Sequence, residues 1–182
     1  MQACRASALF AIVLYVSAAE APVLRDLDGR PARALTDGIS VFLFVRTDCP
    51  ISNRYAPEIA RLQRRFAPQG VRFSLVYVDP KQPAEAIRSH LADYGYRMEA
   101  LSDREHEFVR FTGVRVTPEA AVFTGKQLLY RGRVDDRYAA LGRVRPAPTV
   151  RDLEQVLSDA VAGKGSGFRT SPAVGCFIED LR

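Results

Sequence analysis

The sequence predicts a mixed α/β fold, a central mixed sheet flanked by helices. Three observations carry this reading. Val41-Phe42-Leu43-Phe44-Val45 is a continuous apolar run, the composition of a strand buried on both faces. After it, Ile51, Tyr55, Ile59, Leu62 and Phe66 recur at steps of four, four, three and four, which gives a helix one apolar face. Strand-like and helix-like runs then alternate and close with a hairpin, as when helices pack on both sides of a sheet.

The elements follow in order. Val23 to Leu35, with Asp28-Gly29 at its centre, reads as an N-terminal hairpin whose turn uses a positive φ at glycine. The strand at 41–45 leads into a helix from Pro50 to about Ala67, with Pro57 inside it, where proline removes a backbone hydrogen bond and kinks the helix. Val71 to Val78 is the next strand, ended by Asp79-Pro80. Pro83 to Tyr94 suits a helix, Met98 to Leu101 a short strand, and Glu105 to Phe111 a short helix stopped by Gly113. Ala120 to Phe123 and Gln127 to Val134 flank Thr124-Gly125-Lys126, a hairpin signal. Val150 to Val161 is a last amphipathic helix. The sequence divides into a segment 1–19, a single domain over 20–162, and a flexible tail over 163–182 that begins at Gly163-Lys164-Gly165-Ser166-Gly167.

The 182 residues suffice for one domain with a real core. Met1 to Ala19 has a short region carrying Arg5, an apolar stretch from Ala6 to Val16, and small residues Ser17-Ala18-Ala19. This is the layout of a cleavable secretory signal, so export to the periplasm or beyond, with cleavage after Ala19, is expected; the alternative is a retained anchor. Cleavage removes Cys4 and leaves Cys49 and Cys176, in a compartment where disulfides persist. The net charge is +5, and all but three of the 26 basic residues are arginine. They are scattered, without the clusters and interleaved aromatics of a nucleic-acid face, so no nucleic-acid partner is expected. Contact with a membrane is expected only through the export signal.

Cys49 is where chemistry concentrates. It follows a buried strand directly, and Pro50 is favoured at the first turn of a helix. Unpaired N–H groups at a helix start stabilise a thiolate, lower its pKa and make it nucleophilic near neutral pH. Arg46 and Arg54 add to that effect and Asp48 opposes it.

Cys49-Pro-Ile-Ser-Asn-Arg-Tyr-Ala-Pro57 resembles the active-site helix of thioredoxin-like proteins, in which a C-x-x-C motif opens the helix and a kinking proline stands eight residues after the first cysteine. Val116-Thr117-Pro118 resembles the cis-proline segment that faces the nucleophilic cysteine in that family. The resemblance covers roughly 23–162. With an extra helix and strand between Pro80 and Asp103, it points to the exported redoxin branch, which includes the alkyl hydroperoxide reductase/thiol-specific antioxidant proteins. It implies a thioredoxin-like fold, no bound cofactor or metal, and a thiol or disulfide partner, either a protein or a small thiol, with an external reductant. The sequence also departs from the family. Ser52 occupies the second cysteine's place, Leu43 replaces the buried acid, and the peroxidase T-x-x-C pattern is one residue short at Thr47-Asp48-Cys49.

By the resemblance, Cys49 is the nucleophile, while Thr47, Pro50, Ser52, Thr117 and Pro118 support it or hold substrate. Cys176 is a candidate resolving cysteine on the tail, with a packing cysteine or a thiol that pairs with another protein as the alternatives, and Gly175 permits close approach to another backbone. His90 and His106 are expected at the surface, Thr47 or Asn53 as a helix cap, and Asp135-Asp136-Arg137-Tyr138 as a charged turn. Three functions remain open on sequence alone. They are a C-x-x-S thiol-disulfide oxidoreductase, a thiol peroxidase in which Cys49 becomes a sulfenic acid that condenses with Cys176, and a non-catalytic binding module.

Overall fold

The computed structural model describes residues 21–164 and 167–179. The expected signal segment, Cys4 within it, and the last three residues lie outside that range. The strands are β1 (Leu24–Asp26), β2 (Pro31–Ala32), β3 (Ile39–Val45), β4 (Arg72–Tyr77), β5 (Glu99–Ser102), β6 (Val116–Thr117), β7 (Glu119–Thr124), β8 (Gln127–Gly132), β9 (Tyr138–Ala140), β10 (Arg143–Val144), β11 (Arg169–Thr170) and β12 (Cys176–Phe177). The helices are α1 (Pro50–Arg54), α2 (Ala56–Phe66), α3 (Ala84–Asp93), α4 (Glu107–Thr112) and α5 (Asp152–Val161).

One eight-stranded mixed sheet runs in the order β11-β8-β7-β3-β4-β5-β1-β2. β3 lies inside it, parallel to β4 with Leu43 opposite Leu75, and antiparallel to β7 with Leu43 opposite Ala120. Successive side chains of a strand point to opposite faces, and β3 is apolar at every position but Ser40 because both faces are covered. Val41, Leu43 and Val45 pack in one core with Tyr55, with Ile59, Leu62 and Phe66 of α2 and with Leu153 and Leu157 of α5. Phe42 and Phe44 point the other way, into a second core with Phe108, Val109 and Phe123. Each such fully buried side chain stabilises the fold by about 1.5–3 kcal/mol relative to exposure.

The helix expected from Pro50 to Ala67 is divided. α1 stops at Arg54, and Tyr55 joins it to α2 with φ −83° and ψ −7°. Pro57 has no N–H to bond back to Asn53, so the break falls two residues ahead of it, at Tyr55, and proline then sits in the first turn of α2, where the missing donor costs nothing. The N-terminal hairpin forms as β1 and β2, with Gly29 at φ +80° in its turn. The added helix and strand between the two motifs are α3 and β5, and β5 extends the sheet parallel to β4.

Two features were not anticipated. β9 and β10 form a small separate hairpin after β8. Residues 167–179, expected as part of a flexible tail, are laid down as strands: β11 runs parallel to β8, and β12 runs antiparallel to β6.

Candidate active site

Cys49 is the N-cap of α1, with extended backbone at φ −85° and ψ 108°, and Pro50 takes the first helical position. The side chain faces inward and is 1% exposed. Its sulfur accepts the Ser52 backbone N–H at 3.5 Å, and as a thiol it donates to the Thr117 carbonyl at 3.1 Å. The cap itself is therefore the sulfur; neither Thr47 nor Asn53 fills that role.

Those two residues instead fix the turn that presents Cys49. The Asn53 amide donates to the Thr47 carbonyl at 2.9 Å, and the Thr47 hydroxyl donates to Gln82 Oε1 at 2.8 Å. Since a carbonyl can only accept, Asn53 Oδ1 must face His90 Nε2, 2.9 Å away, so His90 carries its proton on Nε2. Tyr77 then donates to His90 Nδ1 across 2.8 Å. His90 is buried, contrary to the surface position expected for it, because the helical pattern of α3 turns it toward the sheet. Burial pushes its pKa down against the opposing pull of Asp93, which favours the neutral ring this relay needs.

The other wall comes from β6. The Thr117–Pro118 peptide bond is cis. Across from β6 lies β12, with Cys176 opposite Thr117 and Phe177 opposite Val116. Gly175 makes this approach possible, since a Cβ there would overlap the Thr117 carbonyl. On either side the tail is tied down. The Ser171 N–H donates to the Arg131 carbonyl at 3.2 Å and the Ile178 N–H to the Arg115 carbonyl at 3.0 Å. Ile178 buries its side chain in the second core.

Cys176 thus pairs with the residue whose carbonyl accepts from the Cys49 thiol, and Thr117 brings the two cysteines into one locality. Burial alone pushes the Cys49 thiol up, but donors from the Cys176 thiol, from the Ser52 hydroxyl and N–H, and from Thr117 outweigh it, so its pKa falls below the ordinary value. The buried Ser52 and Thr117 hydroxyls have no hydrogen-bond partner among the described residues and are free to turn toward the sulfur. Ser52 stands in the second cysteine's place and donates to the sulfur through its backbone N–H. Burial, and then the adjoining Cys49, push Cys176 up to about 12. Arg46 and Asp48 hold each other by paired bonds of 3.0 and 2.9 Å, so the contest expected between them over the thiolate is decided by the donors instead.

The chain therefore brings Cys49, Pro50, Ser52, Thr117, Pro118 and Cys176 into one locality, with Thr47 behind the turn. Sequence reasoning missed His90 and Asn53 as turn supports; the signal available was His90 among Tyr94 and Tyr96, an aromatic setting that argues for burial. His106 is also buried, its Nε2 at 2.5 Å from the Val78 carbonyl. The expected charged turn is a buried one: Asp135 accepts the Tyr55 hydroxyl at 2.6 Å, and Asp136 accepts N–H groups of Thr149 and Val150.

Residues 18–133 match the model of the AhpC/TSA family. The chain belongs to that family. None of the curated proteins compared with this AhpC/TSA chain matches it in sequence. Among solved structures, it is similar to an uncharacterized conserved protein from Geobacillus kaustophilus, at 23% identity and TM-score 0.71, covering 89% of this chain and 90% of that one. A hypothetical protein from Sinorhizobium meliloti matches at 22% identity and TM-score 0.72, over 86% and 89% of the two chains. A secreted Mycobacterium tuberculosis disulfide oxidoreductase homologous to E. coli DsbE matches at 19% identity and TM-score 0.53, over 78% and 94%. The fold is thioredoxin-like, with a central mixed sheet flanked by helices, as the resemblance implied.

Proposed function

We propose that this redoxin is an exported thiol-disulfide oxidoreductase whose working pair is Cys49 and Cys176. The observation that carries the reading is the placement of both cysteines at Thr117, Cys176 as its partner across β12 and β6 and Cys49 donating to its carbonyl. Cys176 supplies what Ser52 does not, a second sulfur for Cys49 to bond. In the cycle, the two protein thiols lose two electrons and two protons and become one disulfide while a partner disulfide is reduced to two thiols, and a partner dithiol drives the reverse exchange. Closing that bond links residues 49 and 176 across a long loop, a constraint worth about 5 kcal/mol in the chain-entropy model.

Export rests on the signal-like layout of Met1 to Ala19 and is supported by likeness to a secreted disulfide oxidoreductase. The test is electron exchange with glutathione, followed by peptide mapping. Oxidised wild-type protein is expected to consume two thiols per molecule. Cys49→Ser and Cys176→Ser proteins are each expected to lose that two-thiol capacity, and a Cys176→Ser protein that still consumes two thiols per molecule would refute the pairing.

A further inference from the structure

The tail leaves the two sulfurs unequally open. Cys49 is 1% exposed, whereas Cys176 is only half-buried and stands beside Phe177, which is 71% exposed. Geometry of exchange sharpens this difference. A thiolate attacking a disulfide comes in near the S–S axis, behind the sulfur it attacks and opposite the one that leaves. The Cys49 sulfur is enclosed by the first turn of α1, the Ser52 N–H and the Thr117 carbonyl, and its residue is 1% exposed, so an approach to it runs through packed protein. Cys176, half-buried beside the exposed Phe177, is the more accessible of the two.

We infer that an external thiolate enters the oxidised protein at the Cys176 sulfur and releases Cys49, so that the protein donates its disulfide to a substrate dithiol. This rests on the Cys49–Cys176 pairing proposed above and reverses the roles expected from the sequence, since Cys49 becomes the inner sulfur and Cys176 the one that meets substrate. In the first step a bond forms from the substrate sulfur to Cys176 Sγ, the Cys49–Cys176 bond breaks, and its electron pair stays on Cys49. The second substrate thiolate then attacks the first substrate sulfur and releases Cys176, which takes a proton. Substrate ends as a disulfide and protein as a dithiol, two electrons having passed between them. The donors around Cys49 favour this direction: they make it a better leaving group, and by stabilising the reduced state they make the disulfide more oxidising.

The experiment uses the full chain oxidised with diamide and freed of reagent. Reduced glutathione is added for short times, the mixture is acid-quenched, freed thiols are blocked with N-ethylmaleimide, and peptides are mapped, those of Cys4 being distinct. Extrapolated to zero time, glutathione on Cys176 with maleimide on Cys49 is expected in about tenfold excess over the reverse pattern. Glutathione chiefly on Cys49, or shared equally, overturns the inference while leaving the pairing intact. Starting material that lacks a Cys49–Cys176 disulfide overturns both, and is recognised before glutathione is added.

Discussion

Cys49 and Cys176 share one contact but are held there by different kinds of structure. Cys49 is fixed by its own neighbourhood in sequence, between a strand buried on both faces and a helix whose first residue is proline, with Asn53 returning to the Thr47 carbonyl. Cys176 is held by residues far off in the chain, through a two-residue ladder to β6, a glycine against the Thr117 carbonyl and one buried isoleucine. Uprooting the first requires unfolding the core. Lifting the second requires breaking a few hydrogen bonds, worth about 1 kcal/mol net apiece, and exposing one side chain. The tail is thus the part that opens first, and Cys49 becomes reachable when it does.

The comparison can be broken most severely at the core side. Cys49→Ser is expected to reduce mixed-disulfide formation with oxidised glutathione to background while leaving the thermal transition in place; retained reaction would move the chemistry elsewhere. The next largest effect is expected at Gly175. Gly175→Val places a side chain where the Thr117 carbonyl stands, so β12 should leave β6 and Cys49 should react with iodoacetamide about 10–100 times faster. An unchanged rate would mean that the tail does not shield Cys49. Ile178→Ala removes an anchor worth about 2–5 kcal/mol in a fully packed site and should give a similar but weaker acceleration, with faster amide exchange confined to the tail.

A finer effect concerns pH. Cys49 titrates below an ordinary thiol because donors to its sulfur outweigh burial, and Cys176 is the foremost of them. Cys176→Ala takes that donor away, the thiolate loses support, and the midpoint of the alkylation rate against pH should move up. The plateau rate at high pH reports access and is read separately, so a midpoint that stays or falls would contradict the assigned donor. The smallest effect is expected for Arg46→Ala. Asp48 is well exposed, and such a surface pair contributes about 0–1 kcal/mol, so the thermal midpoint should scarcely change.

What was legible in the sequence follows the same division. The run at 41–45 and the apolar steps from Ile51 to Phe66 are local patterns, and each recurs in the structure as a two-faced strand and a core-facing helix surface. Cys49 was found through its neighbours on both sides. The tail was not legible, because a two-residue strand has no periodicity to detect, and its pairing with β6 depends on a partner some sixty residues away. His90 and Asp135 escaped for a related reason: a polar residue is buried when a partner awaits it, here Asn53 with Tyr77 and Tyr55 respectively, and single-sequence patterns do not name partners across elements. Gly175 directly before Cys176 was the one local hint of close backbone approach.

The most direct test of the central claim is non-reducing peptide mapping of the protein after mild oxidation with one equivalent of diamide. A single intramolecular link between the Cys49 and Cys176 peptides, reversed by dithiothreitol, is the predicted result. Cys49 recovered as a free thiol or joined only to an external thiol, with Cys176 unmodified, would contradict it.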